Sequence, residues 1–245
     1  MGRGPLRLSG ARTLCLSHGH LDHALGLPLL LSHRSLQTDR ERTRVICPAA
    51  VADEVRAFVD SASRLERRDY RFDLVPLRGG DRVELEGGFE LEAFETPHTV
   101  PSLGYHLIRH RTRLAEHLTG RSHQEIARLR SEGEPVDERV SELLVSYCGD
   151  TSGEILEREP RLLESRVLII EVTYLAPEHR RRAAEYGHLH LEDLVRVQEA
   201  MSNEAVLLVH LSRRHRLEEL RRAVDERMPR IADRVVVWGQ REDSP

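Results

Sequence analysis

The sequence contains no lysine: every one of its 37 basic side chains is an arginine. Genome composition accounts for most of that bias, but guanidinium groups bind phosphate in a planar, bidentate way that ammonium groups do not. The chain also lacks an excess of positive charge. At a net charge of -4 it exerts no global attraction on nucleic acid, so any such site must be a local basic patch. Cysteines number three, Cys15, Cys47 and Cys148, too few for a disulfide framework, and all three fall in strand-like runs, which predicts reduced core thiols. No stretch reaches the apolar length needed to cross a membrane. The opening Met1-Gly2-Arg3-Gly4-Pro5 has no apolar signal segment, so the expected location is cytoplasmic. Without linker, repeat or low-complexity tract, residues 1–245 read as one α/β domain.

What the chain does have is a dense group of histidines. His18-Gly19-His20-Leu21-Asp22-His23 places four metal-ligand side chains within one turn of a loop. The preceding Arg12-Thr13-Leu14-Cys15-Leu16-Ser17 reads as a short buried strand, so these side chains sit where a strand ends and can converge. Neutral imidazoles and a carboxylate suit Zn²⁺, with Mn²⁺ or Fe as alternatives, because the ligand set alone does not choose between them. His18 and His20 fit one ion, whereas adjacent Asp22 and His23 are offset toward a second. Three later residues also follow strand-like runs: His98 after 89–94, Asp150 after 143–147 and His210 after 205–209. Singly, His98 reads as a turn residue, Asp150 as a helix N-cap and His210 as a core histidine.

The loop matches the HxHxDH motif of the metallo-β-lactamase fold at every specified position. That resemblance implies a four-layer αββα sandwich with a two-metal site at one edge, and His98, Asp150 and His210 fill the remaining ligand slots in order. Longer stretches resemble the short form of ribonuclease Z, the endonuclease family that trims the 3′ end of precursor tRNA. His98-Thr99-Val100-Pro101-Ser102-Leu103-Gly104-Tyr105 looks like its third motif, and Tyr147-Cys148-Gly149-Asp150-Thr151 like its GDT motif. Glu171-Val172-Thr173-Tyr174 and the later Gly187-His188 are similar to its E-A/S-T-F and G-H elements. His210-Leu211-Ser212-Arg213-Arg214-His215 resembles its H-x-S-x-R-Y, with His215 in place of the aromatic.

The resemblance implies the roles. His18, His20 and His98 would hold one Zn²⁺, and Asp22, His23 and His210 the other, with Asp150 bridging. Two such ions lower the pKa of water from about 15.7 to roughly 7, which supports attack on phosphorus at neutral pH. Asp22 would also orient or deprotonate the nucleophile. His188 would stabilise the pentavalent phosphorus or protonate the leaving 3′ oxygen, and Arg214 would contact phosphate. The expected partners are precursor tRNA and a second copy of the chain in a homodimer. Rival readings are a hydrolase of a small phosphodiester, lactone or thioester on the same fold, and a degenerate nucleic-acid-binding relative. The chain departs from the family pattern twice: the first N-terminal strands are lacking before Met1-Gly2-Arg3-Gly4-Pro5, and the insert at about 109–142 is a short arm without a Gly/Pro-rich clamp.

Strand-like runs at 13–17, 44–47, 72–77, 82–86, 89–94, 103–108, 143–148, 167–172, 205–210 and 234–238 alternate with helical patterns at 26–38, 49–66, 122–132, 151–165, 177–186, 190–201 and 214–228. Gly87-Gly88 predicts a hairpin. Two arginine groups are candidate RNA patches: Arg213, Arg214 and Arg216, and a second set of Arg109, Arg111, Arg113, Arg121, Arg128 and Arg130. Glu192 and Asp193 read as a solvent face, and His190 as a helix start without a catalytic part.

Overall fold

The computed structural model describes residues 11–36 and 42–238. Its strands fall on the ten expected runs: β1 (Thr13–Cys15), β2 (Thr43–Pro48), β3 (Phe72–Leu77), β4 (Arg82–Leu85), β5 (Phe89–Glu95), β6 (Leu103–Leu114), β7 (Asp137–Tyr147), β8 (Val167–Glu171), β9 (Ala205–Val209) and β10 (Val235–Val237). The α-helices are α1 (Leu21–Ala24), α2 (Gly26–Ser35), α3 (Ala52–Glu66), α4 (His123–Ser131), α5 (Ile155–Arg158), α6 (Arg180–Glu185), α7 (Leu191–Val197) and α8 (Leu217–Arg227). None is long and apolar enough to cross a membrane.

The strands form two sheets. β1, β2 and β3 are parallel neighbours. The second sheet runs β10-β9-β8-β7-β6-β5-β4, antiparallel from β4 to β7 and parallel from β7 to β10. Period-two alternation along β2 stacks the layers. Val45 and Cys47 pack on one side against Leu27, Leu31, Val55 and Val59 of α2 and α3. Ile46, between them, packs on the other side against Leu91, Ala93, Leu103 and Tyr105 of the second sheet. Beyond that sheet, Leu168, Ile170 and Leu208 meet Leu191, Leu194, Leu220 and Val224 of α7 and α8. Helix, sheet, sheet and helix therefore form the expected four-layer αββα sandwich. Each such fully buried aliphatic side chain contributes about 1.5–3 kcal/mol.

Several expectations need correction. β6 and β7 extend well beyond the runs at 103–108 and 143–148. Their outer halves lie outside the sandwich, so Arg109-His110-Arg111-Thr112-Arg113 has no buried face to write an alternation into the sequence. This two-stranded arm ends in a head built on Ala115, Leu118 and Val136 with Ile126 and Leu129, where Ser122 and Glu125 form a capping box on α4. The helix expected over 151–165 is broken into α5 and a 3-10 turn at Pro160–Leu163, because proline has no N–H to continue the ladder. Cys47 and Cys148 are buried, but Cys15 is exposed, on a strand that is the edge of its sheet among the described residues. The expected strand deficit at Met1 to Pro5 lies outside the described residues, as do positions 37 and 38 of the helix expected over 26–38.

Candidate metal centre

The direction of the strands brings the candidate residues together. β5, β7, β8 and β9 all run the same way, so the residues after their carboxyl ends, His98, Asp150, Thr173 and His210, share one edge of the sandwich. β1 delivers His18 to that edge. Its loop is fastened to the second sheet by Leu103 N donating to Ser17 O at 2.9 Å and Tyr105 Oη donating to Leu16 O at 2.7 Å. Gly149 permits the close approach: φ is +62°, and a Cβ there would lie 2.7 Å from Ser17 Cβ. Gly187 plays a similar part behind His98. Its carbonyl accepts from His98 Nδ1 at 2.9 Å, and a Cβ would crowd His98 Cα and Nδ1 at 3.2 Å. His210 is itself held at φ +60°, a strained region for a residue with a Cβ. Thr173 Oγ1 restrains it, accepting from its Nδ1 at 2.9 Å.

All seven candidate metal residues converge. His18, His20, His98 and Asp150 present ligand atoms within 4.8 Å of one another, as do Asp22, His23 and His210. His20 Nδ1 lies 3.1 Å from His18 Nε2 and 3.3 Å from His98 Nε2. Ligands about 2.0–2.1 Å from a tetrahedral Zn²⁺ stand roughly 3.3 Å apart, so His20 Nδ1 stands from the other two nitrogens as a metal would hold it. One oxygen, Asp150 Oδ2, reaches both groups: it is 3.8 Å from His18 and 4.0 Å from His98, and 3.3 Å from His23 and 3.4 Å from His210. Asp22 Oδ2 is 3.6 Å from His210 and 3.7 Å from His23, with its side chain 67 % exposed at the mouth. The nitrogens turned away from the centre also have partners. His18 Nδ1 lies 3.1 Å from Ser17 Oγ, His98 donates to Gly187, and His210 to Thr173. Such contacts fix ring orientation.

Electrostatics divide the rings of this cluster: some are held neutral and others favour charge. Burial, with the nearby imidazole His23, holds His18 down to about 3, and burial likewise lowers His98. Asp150 is depressed to about 2: burial opposes its charge, but the His23 hydrogen bond and the surrounding imidazoles outweigh it. His23 is raised, since the Asp150 hydrogen bond overcomes burial. His188 is raised in the same manner. Burial opposes its charge, yet Glu171 Oε1 accepts from its Nδ1 at 2.8 Å and the carboxylate charge prevails. Its ring stacks on His210 at 5.3 Å, and Nδ1 lies 4.0 Å from Asp150 Oδ2.

Sequence reasoning assigns no role to Glu171 or Thr173, yet both support the centre. Glu171 is fully buried. It also accepts from Thr151 N at 2.7 Å and from the Thr173 hydroxyl, so both oxygens are engaged and the same carboxylate steadies His188 directly and His210 through Thr173. An acidic residue closing the apolar run Val167-Leu168-Ile169-Ile170 was the available signal, because a buried carboxylate is rare unless partnered. His190 is the expected helix start: Nδ1 accepts from Glu192 N at 3.2 Å and Nε2 donates to Ala176 O at 3.0 Å. Asp193 is not a solvent face; it is buried, joins Arg180 and Arg196, and accepts from His190 N at 3.1 Å.

The arginine sets differ. Arg109 and Arg111 both pair with Glu142, Arg113 with Glu138, Arg121 with Glu125, Arg128 with Glu132 and Arg130 with Asp137, so this set is not a free basic patch. Arg213 and Arg214 are exposed beside His210 and form no ion pair among the described residues; Arg214 reaches only Ser212 Oγ at 3.4 Å.

Comparison with known proteins identifies the family. Residues 3–211 match the beta-lactamase superfamily domain. A tRNase Z of Arabidopsis thaliana is 30% identical over 246 residues, covering 98% of this chain and 86% of its own length. A ribonuclease Z of Staphylococcus carnosus is 25% identical, covering 88% and 75%. The solved structure of the short form of human tRNase Z superposes with a TM-score of 0.61 at 18% identity, covering 96% of this chain and 79% of its own, which supports the fold. The chain belongs to the beta-lactamase superfamily and, within it, to the tRNase Z family, and is thus a metal-dependent hydrolase.

Proposed function

We propose that this protein is a zinc-dependent endoribonuclease that removes 3′ trailers from precursor tRNA, acting in the cytoplasm as a homodimer. The observation that carries the reading is Asp150 Oδ2, set between two groups of imidazoles in a chain whose relatives bear the name tRNase Z. His18, His20 and His98 would hold one ion and Asp22, His23 and His210 a second, with Asp150 within reach of both groups. Zn²⁺ suits this imidazole-rich set, with Mn²⁺ or Fe as the alternatives. When bound, such ions supply Lewis acidity to a phosphoryl oxygen and bring the pKa of water toward neutrality.

The chain's own groups do the rest. Asp22, at the exposed mouth, accepts a hydrogen bond from the attacking water and takes its proton as the oxygen adds to phosphorus. Glu171 holds His188 as a cation, and His188 gives its proton to the leaving 3′ oxygen as the P–O3′ bond breaks. The products are a 3′ hydroxyl on the tRNA and a 5′ phosphate on the trailer. Arg214, free of any carboxylate partner among the described residues, makes a charge-assisted contact to phosphate.

Exposed leucines Leu21, Leu25, Leu29 and Leu36 along α1 and α2 support self-association, and the unpaired buried thiols Cys47 and Cys148 suit a reducing compartment. The test is incubation of metal-loaded protein with a precursor tRNA carrying a 3′ trailer, beside a chromogenic phosphodiester. Cleavage at the trailer junction is expected. Turnover of the small diester alone would replace the tRNA reading with that of a small-phosphodiester hydrolase.

A further inference from the structure

The loop between β9 and α8 sends successive side chains to opposite environments. Arg213 and Arg214 are exposed, whereas the side chain of His215, next in the chain, is only 7 % exposed. His215 lies five residues past His210 and is not among the residues that group as metal ligands. A polar ring enclosed beside two exposed cations needs a partner inside the protein.

Its hydrogen bonds supply one. The loop is fastened at two points to the segment that follows β8: Ser212 N donates to Thr173 O at 3.2 Å, and Leu175 N donates to His215 Nε2 at 3.4 Å. Arg213 and Arg214 hang between these anchors. His215 N closes the turn by donating to Ser212 O at 2.9 Å, and Arg214 donates to Ser212 Oγ from its N and its Nη1, each at 3.4 Å. The ring of His215 stands 5.3 Å from that of His179, on the 3-10 turn Pro177–His179, and its Nδ1 is 3.8 Å from Glu219 Oε2 on α8. Accepting at Nε2 requires a neutral imidazole with its proton on Nδ1. Burial, then the neighbouring His179, outweighs Glu219, lowers the pKa of His215 and favours that form. His210 has its own restraint in Thr173 Oγ1, so the metal-binding ring and the two arginines are held by different contacts.

We infer that His215 is a positioning residue: anchored on Leu175 N, it holds the turn that directs Arg213 and Arg214 to the phosphate of the bound strand. The inference rests on the reading of Arg214 as a phosphate contact. Arginine side chains on a loose turn must be ordered when the strand binds, whereas a turn pinned at both ends has met part of that cost beforehand. The effect of His215 therefore belongs to binding and not to the chemical step.

The experiment compares three substitutions in the zinc-loaded protein. In His215→Gln the amide oxygen reaches about as far as Nε2, in His215→Asn it stops short, and His215→Leu has no acceptor. Dissociation constants for precursor tRNA come from fluorescence anisotropy, kcat from its cleavage, and metal content from elemental analysis. His215→Asn and His215→Leu should weaken binding by about threefold to tenfold for each arginine no longer ordered in advance, with metal content unchanged and kcat within about twofold of wild type. His215→Gln should bind as wild type does. Combined with Arg214→Gln, His215→Asn should add no more than about twofold, because both changes remove the same contact. Wild-type affinity in His215→Asn and His215→Leu overturns the inference. So does a joint fall of metal content, kcat and affinity in all three variants, or full additivity with Arg214→Gln, the marks of a residue that only supports the fold. The underlying readings fail in their own ways: Arg214→Gln with undiminished affinity overturns the phosphate contact and the role of His215 with it, and wild-type protein that binds precursor tRNA but leaves it uncut overturns the tRNA reading alone.

Discussion

The metal centre and the arm both concentrate charged and titratable side chains, and they treat them in opposite ways. At the centre six imidazoles stand close together, with His18–His23 and His98–His188 ring centroids 4.2 and 5.2 Å apart, around a buried Asp150. On the arm Arg109, Arg111, Arg113, Arg121, Arg128 and Arg130 each have a carboxylate within reach, and among the described residues Arg139 forms no ion pair; nearly all of these groups are in water. Burial keeps His18 and His98 uncharged and open to a cation while Asp150 and Glu171 favour charge on His23 and His188, whereas exposure with a carboxylate beside most of its arginines leaves the arm electrostatically quiet. Density of charge in the sequence therefore says less than the location of the partners.

The largest effect should follow from removing the one atom that joins both halves of the centre. Asp150→Ala is expected to lower metal content from close to two equivalents per chain to below one and to cut phosphodiester turnover by at least about 10³-fold. Metal analysis and steady-state rates check it; a well-folded unmodified protein holding a single equivalent would sink the two-ion arrangement. Next comes the pair beside it. His188→Ala should keep the metals and lose about 10²- to 10⁴-fold in kcat, whereas a loss of metal with activity would make His188 a ligand. Glu171→Gln keeps the shape but removes the charge that raises His188. It should cost about 10- to 100-fold and move the alkaline limb of the pH–rate profile to lower pH.

A third expectation concerns the metal-free protein. His18 has a folded-state pKa of about 3, below its ordinary 6.5, and His98 and His106 are also lowered by burial, His106 to about 4. Between pH 6.5 and 4 the unfolded chain thus binds more protons than the folded one at these sites, and stability falls as pH falls. His23 and His188, raised above 6.5, act in the other sense and lose their contribution as pH rises. Asp150 matters only below its ordinary 3.8. The thermal midpoint of chelated protein should drop on acidification from pH 6.5 to 4. A flat midpoint would mean that the buried rings are not held neutral.

The centre was legible in the sequence and the arm only as a short insert with one helix, its strands and charge pairs unread, for a physical reason. A ligand must follow a strand to reach the edge, so His18, His98, Asp150 and His210 announce themselves as polar residues closing apolar runs, and β8 closes with Glu171 by the same rule. The layers were legible through strict alternation such as Val45-Ile46-Cys47. The arm has water on both faces beyond Ile108, so its strands carry no such pattern, and its arginines read as a patch because the chain order hides that Glu138 and Glu142 return opposite Arg113 and Arg109. Cys15 misled for a related reason: its run is apolar, but an edge strand leaves one side open.

The smallest effect tests whether pairing on the arm does silence it. Replacing Arg109, Arg111 and Arg113 together by glutamine removes three cations from Glu142 and Glu138, and should change the thermal midpoint little, since exposed pairs contribute little to stability. If these three paired arginines have no free positive charge to give, the affinity of this variant for precursor tRNA should keep the wild-type salt dependence. Arg213→Gln combined with Arg214→Gln is the contrasting case. These two have no carboxylate partner among the described residues, so each phosphate they neutralise releases counterions, and the slope of log affinity against log salt should fall by about 0.7–0.9 for every phosphate no longer neutralised. Binding titrations at four or five salt concentrations separate the two outcomes. A shallower slope in the arm variant, with the Arg213 and Arg214 variant unchanged, would reverse the comparison and make the paired ladder the surface that opens to receive the RNA backbone.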